Sequence, residues 1–375
     1  MAFANLRREF IRIASTTTVP ATGASKVRFD IPLRSNARLV KAELRLSLTV
    51  SSTMVVGTNG SSFRLENFVK RAVFKASDLS QAPRAVIDAT GAELFAFNAM
   101  HAGITSSYQQ TVWGGGLLGA STTYEYILPM HFVHPATTSA KALYQSIPFN
   151  SKVNGYGLSG TPFFEFDFAS LDDEFLGLKT GTITVNRYYL VLYWLDLAPV
   201  GSAARLPDLY VPGELSTFSY DSASVAASEV KIPIPKDGRL TSFIAFTYSA
   251  PSVGTLGEVL SNGEDGYYRI IVNNSQFDEW DPIMARHDDE LWRRAYPSDV
   301  APGSTHSLSK FIWSKNFWHP FAQADGGNLN SVPNLYTENN GDLVQVLVDK
   351  LAANVRIKLL MHKFLTQNPD LLAGA

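Results

Sequence analysis

The chain has 375 residues, 45% of them apolar, 12% aromatic and 18% charged, with a net charge of −2. That balance lacks the basic face of a nucleic-acid binder, so no sequence-specific nucleic acid is expected as a partner. With no cysteine, disulfides, thiolate-held zinc and thiol catalysis are excluded.

No run reaches 18 apolar residues, so no membrane-spanning helix is expected. The N-terminus lacks the apolar stretch of a signal peptide, which predicts folding in a cytoplasm. In chain order, residues 1–23 come first. Phe3, Leu6, Phe10 and Ile13 recur at helical spacing, with Arg7, Arg8 and Arg12 between them. This pattern predicts a short basic amphipathic helix, an arm set apart by a Ser/Thr-rich run over 15–25.

Residues 24–195 read as a first β-domain. Leu44, Leu46, Leu48 and Val50 alternate with Arg45, Ser47 and Thr49, and Phe164, Phe166 and Phe168 with Glu165 and Asp167. Period-2 alternation puts one set on a core face and the other outward. Residues 182–194 carry large side chains on both faces, which predicts a strand covered on both sides. One helix interrupts. Thr90-Gly-Ala-Glu93 is a capping box, followed by Leu94, Phe97 and Met100 or His101 as an apolar stripe and Gly103 as a stop.

Residues 196–227, with Pro199, Gly201, Pro207, Pro212 and Gly213, read as a linker. Residues 228–375 form a second β-domain, with strands near 230–248, 267–273, 309–318, 342–350 and 354–365. Its helix is introduced by Asp281-Pro282, an N-cap followed by Pro at the first helical position. Each half thus holds about eight short strands and one helix. The expected fold is all-β, two tandem eight-stranded jelly rolls, each with one inserted helix, plus the N-terminal helix.

The halves also match each other. Residues 126–135 (YILPMHFVHP) and 311–320 (FIWSKNFWHP) share Ile127/Ile312, Phe132/Phe317, His134/His319 and Pro135/Pro320. Residues 27–39 (VRFDIPLRSNARL) match 230–240 (VKIPIPKDGRL), and 187–193 (RYYLVLY) resembles 356–362 (RIKLLMH). A strand-then-helix segment recurs at 72–101 and 268–296. The offsets fall from about 202 to 169, as in a duplicated domain whose second copy has shorter loops.

Candidate chemistry is sparse. Gly155-Tyr-Gly-Leu-Ser-Gly160 matches GxGxxG but lacks the strand before it and the helix after it, so it reads as a loop. Gly114-Gly115-Gly116 lacks the Lys-Ser/Thr of a phosphate loop. His131 and His134, three apart in a strand, face opposite ways and cannot share a metal. The acidic run Asp278, Glu279, Asp281, Asp288, Asp289 and Glu290 lacks calcium-loop spacing and complements a helix N-terminus; Asp172, Asp173 and Glu174 after Ser170 read likewise. No catalytic residue, metal or cofactor is assigned.

This order of features resembles the double jelly-roll major capsid proteins of tailless icosahedral DNA viruses, the tectivirus and adenovirus-hexon lineage. The resemblance covers nearly the whole chain and rests on architecture. It includes the connection after Leu195-Asp-Leu-Ala-Pro-Val-Gly201. It implies a non-enzymatic homotrimer forming pseudo-hexameric capsomers of a virion shell, assembled in a host cytoplasm such as that of a bacteriophage's host. Its partners would be neighbouring capsomers, penton and minor capsid proteins, and an internal viral membrane. The candidate membrane- or subunit-facing arm is then Phe3, Leu6, Arg7, Arg8, Phe10, Arg12 and Ile13. The alternative is a carbohydrate-binding protein of two β-sandwich domains, with Trp113, Tyr124, Trp280, Trp313 and Trp318 in loops stacking on sugars. An all-β hydrolase is a weaker third reading, for want of paired carboxylates.

Overall fold

The structure is a computed structural model. It describes residues 5–51, 55–56, 68–76, 84–102, 121–133, 143–149, 161–172, 178–199, 213–234, 239–248, 268–280, 312–316, 335–336 and 344–364. Within those stretches 14–16, 24, 33, 35, 144, 224–226 and 273–274 are set aside. The chain divides into two units: Met1–Asn98 with Ser106–Gly213, and Ala99–Thr105 with Glu214–Ala375.

The first unit contains β1 (Asn5–Ile13), β2 (Thr17–Thr18), β3 (Ser25–Asp30), β4 (Ala37–Val50), β5 (Val55–Val56), β6 (Val69–Ala76) and β7 (Arg84–Ala89). Helix α1 (Gly91–Ala102) follows, with Gly91–Asn98 in this unit, then β8 (Thr122–His131), β9 (Ile147–Pro148), β10 (Phe163–Phe168), β11 (Leu178–Thr180) and β12 (Ile183–Asp196). Its long strands form two sheets, β1-β12-β4-β8 and β3-β10-β6-β7; β2 and β9 extend the first, and β5 pairs with β11. Numbering the eight long strands one to eight, the sheets read 1-8-3-6 and 2-7-4-5.

The second unit contains β13 (Gly213–Asp221), β14 (Ala227–Pro233), β15 (Arg239–Tyr248), β16 (Tyr268–Val272), β17 (Ser275–Trp280), β18 (Ile312–Asn316), β19 (Leu335–Tyr336), β20 (Val344–Leu351) and β21 (Arg356–Phe364). Its strands run β13-β21-β15-β18 and β14-β20-β16-β17, with β19 beside β15. Without the short β19, these again read 1-8-3-6 and 2-7-4-5. Among the described residues, the long strands of each unit therefore follow the order of a jelly roll.

The sequence matches fall on equivalent strands. Residues 27–30 and 230–233 lie in the second strands, and Arg38-Leu39 and Arg239-Leu240 in the third. Ile127 and Ile312 lie in the sixth, and 187–193 and 356–362 in the eighth. Phe317, His134, His319 and the expected helix at 282–295 lie outside the described residues.

Alternation builds the cores. In β4, Ala42, Leu44, Leu46, Leu48 and Val50 are buried. In β10, Phe164, Phe166 and Phe168 point inward, where Phe164 meets Phe74 at 4.6 Å. Phe29 of one sheet reaches Tyr188 of the other at 6.3 Å, edge to face. β12 is buried on both faces, through Leu190, Leu192 and Trp194 on one and Val191 and Leu195 on the other. In the second unit, Val344, Val346 and Val348 of β20 pack with Ile357, Leu359 and Met361 of β21.

Helix α1 begins as the capping box predicts. The Thr90 amide donates to Glu93 Oε2 at 2.8 Å, and the Glu93 amide donates to Thr90 Oγ1 at 3.2 Å. Leu94, Phe95, Ala96 and Phe97 are all buried; an apolar run on every side is how a buried helix reads. Thr90→Ala is expected to lower stability by about 1 kcal/mol, with Thr90→Ser close to wild type, as read from urea denaturation midpoints.

Two expectations are corrected. Residues 5–13 are not a helix but strand β1, antiparallel to β12 from Asn5 opposite Asp196 to Ile13 opposite Tyr188. β12 presents an edge whose backbone groups need partners, and that pairing overrides the weak local helical periodicity. The arm is thus the first strand of the first jelly roll. Likewise β13 lies within the expected linker at 196–227 and opens the second jelly roll.

Candidate assembly surface

The first unit's β1-β12-β4-β8 sheet turns one face to its core; its other face is exposed at Leu6, Phe10 and Ile127 and buried at Val191 and Glu43. Registers place the residues of that other face in rows across the strands. Phe10 lies opposite Val191, Val191 opposite Glu43, and Glu43 opposite Pro129. A second row runs Arg12, Tyr189, Arg45, Ile127, and a third Arg8, Tyr193, Lys41, His131.

The β1 end of this face is apolar. Leu6 is 62% exposed and Phe10 59%; at the opposite end, in β8, Ile127 is 41% exposed, and these are the exposed large hydrophobics among the described residues. Phe10 leans on Tyr189 with ring centres 6.2 Å apart. Arg8 and Arg12 alternate with Leu6 and Phe10 and are exposed. Arg7 falls on the opposite face by alternation and meets Asp196 at 3.1 Å. Glu9 accepts from the Trp194 indole at 2.9 Å and pairs with Arg34 at 2.7 Å, fastening β1 to its unit. Phe3 lies outside the described residues; Ile13 ends β1.

The middle of the face is charged. Glu43 is buried and meets Lys41 Nζ at 2.6 Å and Arg45 Nη2 at 2.7 Å. Burial alone would raise its carboxyl pKa, but hydrogen bonds from Lys41 and Arg45 outweigh burial and hold it below the usual value. Burial, and then its hydrogen bond with Glu43, raises the Tyr193 phenol. Lys41 also lies over the Tyr193 ring at 5.1 Å. Tyrosine and arginine around a desolvated charge pair are the residue types that dominate protein interfaces. Sequence reasoning missed this group. Its signal was the alternation of Lys41, Glu43 and Arg45 with Ala42, Leu44 and Leu46.

His131 ends the third row. Its Nε2 is buried without a hydrogen-bond partner, and burial, with Lys41 adding repulsion, lowers its pKa to about 3. The folded state keeps the ring neutral, whereas an unfolded histidine binds its proton near pH 6.5. Stability is therefore lost as pH falls from about 6.5 toward 3. We expect a loss on the order of a few kcal/mol across that window, and a flatter profile for His131→Gln. Denaturation curves at pH 7, 5.5 and 4.5 check this; parallel profiles for the two proteins would refute it.

The other candidates do not converge on this face. His134, the glycine runs at 114–116 and 155–160, Trp113 and Trp318 lie outside the described residues. Tyr124, Trp280 and Trp313, expected in sugar-stacking loops, lie in strands β8, β17 and β18. Asp172 sits in a turn, hydrogen-bonded by the Ser170 hydroxyl. Among the described residues, no three metal-ligating side chains gather.

Two jelly rolls in one chain define a double jelly-roll protein. No protein-family model matches the chain, and no curated protein matches it. Among solved structures, the major capsid protein of Sulfolobus Turreted Icosahedral Virus matches with a TM-score of 0.58 at 11% identity, over 98% of this chain and 100% of that one. A chain in the atomic structure of that virus matches with a TM-score of 0.54 at 9% identity, over 98% and 95%. The major capsid protein P2 from Bacteriophage PM2 matches with a TM-score of 0.51 at 13% identity, over 96% and 99%. The chain shares the double jelly-roll fold of these capsid proteins along nearly its whole length.

Proposed function

We propose that the chain is the major capsid protein of an icosahedral virus, three copies forming a pseudo-hexameric capsomer. The observation that carries this is the repeated 1-8-3-6 and 2-7-4-5 strand order, spanning the full length of capsid proteins with the same fold. Two like units per chain and three chains per ring present six similar edges, so one protein can fill hexagonal positions in a shell; closed cyclic symmetry is the usual rule for oligomers. The role is structural rather than catalytic. Its partners are further copies, neighbouring capsomers, and penton and minor capsid proteins in a virion assembled in a host cytoplasm. A bacterial host and an internal membrane belong to the reading through the resemblance alone; residues 5–13 form a strand where a lipid-facing helix was expected.

Light scattering on the purified protein is expected to give about three times the 41.1 kDa chain mass, since obligate interfaces bury on the order of 2,000 Å² or more. Negative-stain images should show pseudo-hexagonal particles. A stable monomer at micromolar concentration would overturn the reading.

A further inference from the structure

β1 is an end strand of its sheet, with β12 as its only neighbour among the described residues. Among the described residues, its nine residues leave a row of backbone donors and acceptors without a strand partner on the far side. Natural proteins blunt such edges or cover them. Arginines oppose aggregation here, yet Leu6 and Phe10 sit exposed beside them. Arg8 and Arg12 have no ion pair among the described residues, unlike Arg7 and Arg34 of the same region. A row of backbone hydrogen-bonding groups flanked by apolar and cationic side chains suits a strand with carboxylates. A lipid surface would leave the backbone row unpaired.

The chain carries such a strand. β17 (SQFDEW) is an end strand of its own sheet, with β16 as its only neighbour among the described residues. It contains Asp278 and Glu279 and no Lys or Arg. Four other end strands fit less well. β14 pairs its Glu229 with its own Lys231, β18 carries Lys315, the Glu125 of β8 already holds Arg187 at 3.0 Å, and β3 carries Lys26 and Arg28. β1, with three arginines against Glu9, is the most basic of these strands, and β17 is the most acidic.

We propose that β1 of one copy pairs edge to edge with β17 of the next, joining two sheets across the boundary between copies. The mode is strand addition, in which main-chain hydrogen bonds supply affinity and side chains set register. The two edges are different patches, so the contact is head-to-tail, and in a ring of three it closes with every β1 and every β17 used. This inference rests on the reading that the chain assembles with copies of itself.

The absence of cysteine makes a clean test available in the full chain. Neighbouring strands lie about 4.8 Å apart, within the Cα separation of about 4.4–6.8 Å that a disulfide spans. Leu6→Cys, Arg8→Cys and Phe10→Cys are each mixed with Gln276→Cys, Asp278→Cys and Trp280→Cys, co-assembled and oxidised. At least one mixed pair is expected to cross-link, with no self-cross-linking by either parent. Separately, Arg8→Glu with Arg12→Glu should weaken assembly at least about tenfold. Asp278 and Glu279 are adjacent in β17 and so fall on opposite faces; Asp278→Arg and Glu279→Arg are therefore made singly, and the one that shares the arginine face should weaken assembly alike and restore it when combined with the two β1 changes.

Failure of every mixed pair to cross-link, self-cross-linking of the β1 variants, or no restoration by the combined chain would overturn the pairing. If the wild-type chain forms oligomers and these tests fail, only the edge pairing is lost. If the wild-type chain is a monomer, the assembly reading fails as well.

Discussion

Trp194→Ala is expected to cost the first unit about 3–5 kcal/mol, the range for truncating a large buried aromatic. Trp194 is fully buried in β12. Its indole N–H donates to Glu9 Oε2 at 2.9 Å, and its ring meets Phe149 edge-on at 4.7 Å. Arg34 lies over it at 5.3 Å and pairs with the same Glu9. Truncation would leave a cavity and also loosen the anchor that holds β1 onto β12. Trp194→Phe keeps most of the volume and loses the hydrogen bond, so it should cost less, with about 1 kcal/mol assigned to that bond. Urea unfolding followed by far-UV circular dichroism measures both. A loss under about 1 kcal/mol for the alanine variant would contradict the packing described here.

Lys363→Met is the second large effect expected. By strand alternation Lys363 falls on the same face of β21 as Ile357, Leu359 and Met361, which belong to the second unit's core. Its ammonium lies 3.6 Å from Glu214 of β13, with side-chain exposures of 2% and 11%. Removing one member of a buried pair leaves a charge in a poorly solvated place and costs about 3–5 kcal/mol. Replacing both members with apolar side chains is often neutral. Glu214→Leu combined with Lys363→Met is therefore expected to recover most of the loss. Calorimetry on the single and double variants decides it. If the two single losses simply add in the double variant, the pair is not coupled and the account fails.

Much of the fold was legible because its cores are built by simple alternation. The phenylalanines of β10 and the leucines of β4 announce a strand with one buried face, and the Thr90–Glu93 capping box locates a helix start within a residue. Of the repeats at 126–135 and 311–320, residues 126–131 and 312–316 fall on the sixth strand of each unit, and 187–193 and 356–362 fall on the eighth. Equivalent strands meet equivalent packing demands, which keeps a faint likeness between the two copies.

The candidate surface was less legible. Leu6 and Phe10 were singled out as part of one apolar stripe, but the partner they imply depends on whether the backbone is helical or extended. Glu43, Lys41, Arg45, Tyr193 and His131 come from three strands that are far apart in the chain. No local pattern states that they are neighbours, because strand order within a sheet is set by long-range pairing.

From its residues alone, then, this protein is a duplicated all-β chain without thiol chemistry, since periodicity, internal likeness and composition are properties of the chain itself. The tertiary structure decided the rest. It made residues 5–13 a strand, because the edge of β12 offered backbone hydrogen bonds that an isolated helix so short could not match. It also made residues 213–221, inside the stretch expected to be a linker, the first strand of the second jelly roll, because β21 supplied an edge there. In both places a distant strand outweighed local preference, since a backbone segment packed against a sheet must satisfy its N–H and C=O groups with whatever partner the fold brings beside it.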